Sequence, residues 1–314
     1  MRHWIEAARL RTLPLSVSGI LIGCFYAMKQ GDFNWYIVFF ALSTTLLLQI
    51  LSNFANDYGD GVKGTDNADR IGPARAVQSG VITPVQMKRA MIFTSILTIL
   101  SAVALIYFSF KEKYLLYSLA FLFLGFLAVA SAIRYTVGNT AYGYRGYGDL
   151  FVLIFFGYVS TLGIYFMFRK EVEPLLILPA TAVGFLSVGV LNLNNMRDEE
   201  SDRKSGKNTI VVKIGGTSAK KYHFFLVISA MALVVIFSIL DEFTIGQYIY
   251  LIAFLPMIAH LTRVAKNKEP RSLDPELKKL AISTFLMSVL LALSFIYFIQ
   301  DIFVQIYTAL TNPH

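Results

Sequence analysis

Two stretches of this chain place carboxylates, amides and cations at spacings suited to holding a divalent cation on a phosphorylated ligand. The first, residues 53–75, carries Asn53, Asn56, Asp57, Asp60, Lys63, Asp66, Arg70 and Arg75. The second, residues 192–207, carries Asn192, Asn194, Asn195, Arg197, Asp198, Asp202, Arg203 and Lys207. Asp57 and Asp60 stand three apart and Asp198 and Asp202 four apart, so on a helix each pair projects from one face. Mg2+ binds carboxylate and phosphate oxygens and keeps several waters, so one or two carboxylates per ion suffice. Two such clusters facing each other, with cations alongside, meet what a Mg2+-diphosphate requires. A lone aspartate pair is more often a solvated loop charge. Two matching pairs, each rooted in an asparagine-bearing apolar segment, favour a site.

The surrounding residues carry secondary readings of their own. Asn53, Asn56, Asn192, Asn194 and Asn195 either bond between helices, as amides do in membrane bundles, or orient a carboxylate or the ion from behind. Lys63, Arg70, Arg75, Arg203 and Lys207 either neutralise a diphosphate or only set membrane orientation, with Arg75 and Lys207 the better ligand candidates. A third polar stretch, 134–149, is broken by glycines and rich in tyrosine, Tyr135 and Tyr144 among them. Tyrosine faces stabilise cations through the ring quadrupole, and they also populate ordinary interfacial belts. Asp149 opens the next apolar run, where a carboxylate also suits a helix N-terminus.

The elements that must position these groups are apolar helices. The chain has 314 residues, 56% hydrophobic, 15% charged and 14% aromatic, which is too apolar for a soluble domain of this length. About nine runs reach the roughly 20 residues that a bilayer crossing needs. They lie at about 13–29, 35–55, 87–109, 114–133, 149–168, 174–195, 221–240, 246–265 and 280–300. The fold expected is an all-α membrane protein, a bundle of about nine transmembrane helices with Asp-rich cytoplasmic loops, in one domain over 1–314. The net charge of +8 is not gathered into a patch or tail, so it does not indicate nucleic acid. Of the 28 Lys and Arg residues, 23 fall on the N-terminal side of that arrangement and five on the other. This asymmetry puts the N-terminus and both aspartate clusters in the cytoplasm of a multi-pass membrane protein, with the bilayer itself as a partner. The single Cys24 allows no disulfide within the chain, and His3, His223, His260 and His314 show no ligand spacing. There is no P-loop and no nucleophile elbow.

At these residues the chain resembles the UbiA superfamily of intramembrane aromatic prenyltransferases, and within it the branch acting on 1,4-dihydroxy-2-naphthoate. Asn56-Asp57-Tyr58-Gly59-Asp60-Gly61-Val62-Lys63-Gly64-Thr65-Asp66, continued through Asp69 and Arg70 to Gly80, is similar to that branch's first motif. Gly64 stands where the wider superfamily has a third aspartate, and Asp66 follows instead. Asn194 through Asp202, then Gly206-Lys207-Asn208-Thr209, resembles the second motif, and Gly146-Tyr147-Gly148-Asp149 the signature opening the fifth span. Gly138-Asn139-Thr140-Ala141 departs from the proline-bearing turn of the branch. The resemblance implies that Asp57, Asp60, Asp66, Asp198 and Asp202 hold Mg2+ on a polyprenyl diphosphate, with Arg75 and Lys207 sharing the phosphate charge. It also implies transfer of the prenyl group to 1,4-dihydroxy-2-naphthoate with loss of CO2, giving a demethylmenaquinone. Two other readings stay open at this point: another aromatic acceptor, such as homogentisate, and a secondary transporter.

Overall fold

The structure, a computed structural model, describes residues 2–9, 12–65 and 75–296, and every regular element among them is helical. A short helix α1 (Arg2–Ala8) meets α2 (Leu13–Lys29) at a bend of 53°. Then come α3 (Trp35–Lys63), α4 (Pro84–Phe110) and α5 (Leu115–Arg134). Next are α6 (Gly148–Arg169) and α7 (Ile177–Arg197), then two short helices, α8 (Glu199–Lys204) and α9 (Ile210–Ile214). Last are α10 (Gly216–Leu240), α11 (Ile245–Lys266, wound as a 3-10 helix over Ile245–Ala253) and α12 (Asp274–Ser294). Among the described residues eight helices are each long and apolar enough to span a membrane, or nine when the bent pair α1–α2 is taken as one span. The expected bundle is observed.

Helix ends follow local chemistry. Asn34 caps α3 by accepting from Tyr36 N at 2.9 Å, and Gly64, at φ +71°, closes it in the left-handed conformation that glycine tolerates. Thr83 and Gln86 form a reciprocal capping box at the start of α4, with Pro84 at its first position. At 29 residues α3 is about 43 Å long, more than the ~30 Å apolar layer needs. The second span therefore does not end at residue 55. Its last turns run on past the apolar layer and carry Asp57 and Asp60 as helical residues rather than loop residues.

The last helix also departs from expectation, starting at Asp274 instead of 280. Glu276 is buried there because it is paired three ways: with Arg263 Nε at 2.8 Å, Lys279 Nζ at 2.6 Å and His260 Nδ1 at 2.6 Å. His260 Nε2 in turn lies 2.8 Å from His223 Nε2, so two histidines far apart in the sequence meet and tie α10, α11 and α12 together. The remainder of the expected span, from 297 on, lies outside the described residues.

Small residues bring the helices close. Gly157 of α6 sits against Gly184 and the Ala180 carbonyl of α7, where an added Cβ would come within 2.7 Å of that oxygen. Gly19 and Gly23 of α2 press in the same way on Ser160 and Thr161. Through these contacts α6 runs as a π-helical stretch, Leu153–Gly163. That stretch forms one wall of the cavity described next.

Candidate functional site

The C-terminal ends of α3 and α7 lie at the same end of the bundle, and the 142–149 segment bridges them. Tyr144 is the bridge. Its hydroxyl donates to Asp60 Oδ1 at 2.8 Å and lies 2.6 Å from Thr65 Oγ1. The Lys63 ammonium stands 4.1 Å from the Tyr144 ring centroid and the Lys207 ammonium 5.6 Å from it. Lys207 Nζ also approaches Asp202 Oδ1 at 3.7 Å. One carboxylate from each motif, one lysine from each motif and a tyrosine therefore form a single constellation. Burial pushes the Lys207 pKa down, but the Asp60 and Asp202 carboxylates outweigh it, so Lys207 is held above the ordinary lysine value. Lys63 goes the other way: burial, with the Lys207 charge adding, lowers it against the pull of Asp60. The Tyr144 phenol is raised, first by burial and then by Asp60.

The other two aspartates of the motifs are engaged with the protein itself. Asp57 accepts from the backbone N–H groups of Ala76 and Val77 at 3.1 and 3.0 Å, pinning the 76–80 turn onto α3. Asp198 takes a two-point clasp from Arg197, Nε to Oδ1 at 2.9 Å and Nη2 to Oδ2 at 2.6 Å. Arg197 is 1% exposed and also donates to Asp274 and to the side-chain Oδ1 of Asn194. A fully buried arginine between two carboxylates is expensive to break from either side. The two motifs are thus built alike: the first aspartate organises local structure and the second faces a lysine.

A cavity of about 380 Å³ opens beside the constellation. Its polar end is lined by Asn53, Asn56, Asp60, Arg75, Tyr135, Asn194 and Lys207, and its far end by apolar residues of α3 to α6. Asn56 Oδ1 is buried there and accepts no hydrogen bond among the described residues. Gly143 and Gly148 make room for Tyr135, since a Cβ on either would come within 3.0 Å of its atoms. The glycines of the third polar stretch therefore seat a cavity tyrosine.

The protein carboxylates do not form a cage: among the described residues no three His, Cys, Asp or Glu side chains are grouped to hold a metal. The donor set does fit Mg2+ bound chiefly through its substrate. Asp60, the neighbouring Asp202 and the unengaged Asn56 oxygen offer hard oxygen donors, and diphosphate would supply the rest.

The profile of the UbiA prenyltransferase family matches residues 16–289. This chain belongs to the UbiA prenyltransferase family. It is 42% identical over 290 residues to a 1,4-dihydroxy-2-naphthoate octaprenyltransferase of Escherichia coli K12, covering 92% of this chain and 94% of that one. It is 38% identical over 296 residues to the enzyme of the same description from Haemophilus influenzae Rd, covering 93% and 95%. The apo structure of a UbiA homologue from Aeropyrum pernix K1 superposes with a TM-score of 0.69 at 15% identity, over 92% of this chain and 99% of that one, and so shares the fold.

Within this UbiA bundle the sequence-derived residues fall into groups. Asn53, Asn56, Asp60, Arg75, Tyr135, Asn194 and Lys207 line the cavity. Lys63, Tyr144 and Asp202 surround its polar end, whereas Asp57 and Asp198 stand behind it. Asn195 is buried away from the cavity lining, and Asp149 accepts from Tyr222 of α10 at 3.0 Å. Asp66 and Arg70 lie outside the described residues. Arg9, Gln49, Ser52 and Lys278 line the cavity without having been singled out. Arg9 was legible only as an N-terminal topology charge. Its backbone turns at φ +52°, and Asn53 Nδ2 holds the preceding Ala8 carbonyl at 2.8 Å.

Proposed function

We propose that this chain transfers a polyprenyl group from polyprenyl diphosphate to 1,4-dihydroxy-2-naphthoate, releasing diphosphate and CO2 and giving a demethylmenaquinone. The observation that carries the donor half is the cavity, with cations and carboxylate at one end and an apolar run at the other. That is the shape and polarity of a charged head joined to a long isoprenoid tail. The acceptor half rests on the two bacterial relatives, each aligned over nearly its full length.

In this reading Lys207, Arg75 and Lys63 take the diphosphate charge, and Asp60 and Asp202 would hold Mg2+, with Asp66 as a further ligand. Asp57 and Asp198 serve by fixing the turn and the helix end on which the others depend. Bound Mg2+ supplies charge neutralisation to the leaving diphosphate. The allylic C–O bond breaks with its electron pair going to diphosphate, and Lys207 and Arg75 stabilise that growing charge in a water-poor site. The ring carbon bearing the carboxylate attacks the allylic carbon, and the C–CO2 bond then yields its electrons back to the ring. Tyr135 and Tyr144 flank the region where the cation forms. The whole chain acts as one domain, with the N-terminus and site facing the cytoplasm.

The test is product formation by the purified protein in detergent with Mg2+, a prenyl diphosphate and 1,4-dihydroxy-2-naphthoate, alongside EDTA and homogentisate arms. Prenylated naphthoquinol with CO2 release, lost in EDTA, is the expected result. Prenylation of homogentisate alone would discard the naphthoate assignment and keep the diphosphate site.

A further inference from the structure

The cavity is deep. It touches α3 from Asp60 to Ala41, nineteen residues or about 28 Å of helix, close to the full apolar thickness of a bilayer. Two glycines line it, Gly125 on α5 and Gly163 on α6. Neither is explained by backbone or packing. Gly163 has φ −63° and ψ −44°, ordinary right-handed helix. A Cβ at Gly163 would meet only Phe121 and Val159, at 3.8 and 3.9 Å, and one at Gly125 only Ala102, at 3.9 Å. These are normal contacts, unlike the overlaps of 2.7 Å or less that Gly157, Gly19 and Gly23 would suffer. A glycine in a helix costs about 1 kcal/mol relative to alanine, so a helical glycine that seats no neighbour calls for another reason. At both positions what glycine leaves is open cavity.

We propose that Gly125 and Gly163 are the specificity-determining residues for prenyl chain length, keeping open successive depths of the channel that receives the tail. The inference rests on the donor half of the function proposed above. Along α5, Gly125 lies ten residues from Tyr135, about 15 Å, and Phe121, the neighbour of Gly163, fourteen residues, about 21 Å. A side chain at 125 therefore blocks the channel nearer the diphosphate end than one at 163. The two positions form a graded pair.

The experiment measures donor binding without any acceptor, as thermal stabilisation of the detergent-purified protein by prenyl diphosphates of increasing length, from dimethylallyl to octaprenyl, with Mg2+. Wild type, Gly125→Leu, Gly163→Leu and the milder Gly125→Ala and Gly163→Ala are compared, and kcat/KM for each donor is measured with 1,4-dihydroxy-2-naphthoate. A side chain projecting into an apolar channel discriminates by about tenfold or more. The expected result is a fall of that size in the long-to-short donor ratio for both leucine variants, with Gly125→Leu cutting off at shorter donors than Gly163→Leu. Phe121→Ala added to Gly163→Leu should restore the longer donors. A wild-type length profile in both leucine variants, or an equal loss for every donor length, would place the tail elsewhere and overturn the proposal. Stabilisation with the expected length pattern but no naphthoate product would leave this inference standing and remove the acceptor assignment. A wild-type protein stabilised by no donor would remove both.

Discussion

The Tyr144 hydroxyl donates to Asp60 Oδ1 at 2.8 Å while the face of the same ring lies 4.1 Å from the Lys63 ammonium. One side chain thus sets the carboxylate and a cation of the first motif, and Lys207 of the second motif approaches it as well. Removing the hydroxyl and removing the ring should have separable effects. Tyr144→Phe loses a hydrogen bond to a charged group, worth about 1.5–3 kcal/mol, and should lower kcat/KM by about ten- to a hundredfold. Tyr144→Ala also loses the cation–π contacts, about 0.5–1 kcal/mol each at partly exposed sites, and should be severalfold worse. Steady-state kinetics on both variants checks this, and equal activity in the two would show that the ring face does nothing for the lysines.

The two aspartates of the first motif should fail in different ways. Asp60→Asn should remove most turnover and leave thermal unfolding near wild type, because Asp60 faces a tyrosine and lysines at the cavity. Asp57→Asn puts an amide donor against two backbone N–H groups and should cost about 1–3 kcal/mol of stability as well as activity. Thermal unfolding in detergent and proteolytic cleavage within the 76–80 turn report the difference. An Asp57→Asn protein as stable as wild type would deny it the turn-pinning role.

The lysines should separate by pH. A lysine grips diphosphate only while protonated, so its contribution is present below its pKa and lost as pH rises through it. Lys63, lowered by burial and by Lys207, should drop out first, and Lys207, raised by Asp60 and Asp202, should hold its charge furthest. The alkaline limb of kcat/KM for the prenyl diphosphate, which reports the free enzyme, should begin below the ordinary lysine range. In Lys63→Arg, whose guanidinium keeps its charge, that limb should move to higher pH. An unmoved limb would assign the step to another group.

Much of this arrangement was legible before any coordinates, and for a physical reason. Apolar runs long enough to cross a bilayer have few alternatives, so α2 to α7, α10 and α11 fall close to where hydropathy puts them. The paired aspartates stand out because charge at the end of an apolar helix is costly. Hidden from the sequence was what each carboxylate faces. Helical spacing puts Asp57 and Asp60 on one side of α3, yet only the folded 76–80 turn shows that backbone amides claim one and the cavity the other. Arg9 carries no local signal, because its place depends on a bend between two helices. Glu276 misplaced the last span, since a carboxylate in an apolar helix reads as an end until its three partners are seen. Gly163 reads as one more helix glycine until the space beside it is known.

Orientation is the remaining consequence of the charge distribution, and the lone cysteine makes it measurable. Cys24 is 1% exposed, so it should contribute little background to thiol labelling of the folded protein. Lys204, beside the second motif, and Lys113, between α4 and α5, are both exposed and lie at opposite ends of the bundle. Lys204→Cys should react with a membrane-impermeant maleimide only after the inner membrane is permeabilised, whereas Lys113→Cys should react in intact spheroplasts. The expected direction follows from the excess of cations on the side of Lys204, because cationic loops are retained in the cytoplasm during insertion. The reverse pattern would put the diphosphate site outside the cell, away from a cytoplasmic supply of charged donor, and would overturn the assigned topology. Labelling of both positions from outside would instead show that the number of spans between them is even, which the single crossings of α5, α6 and α7 do not allow.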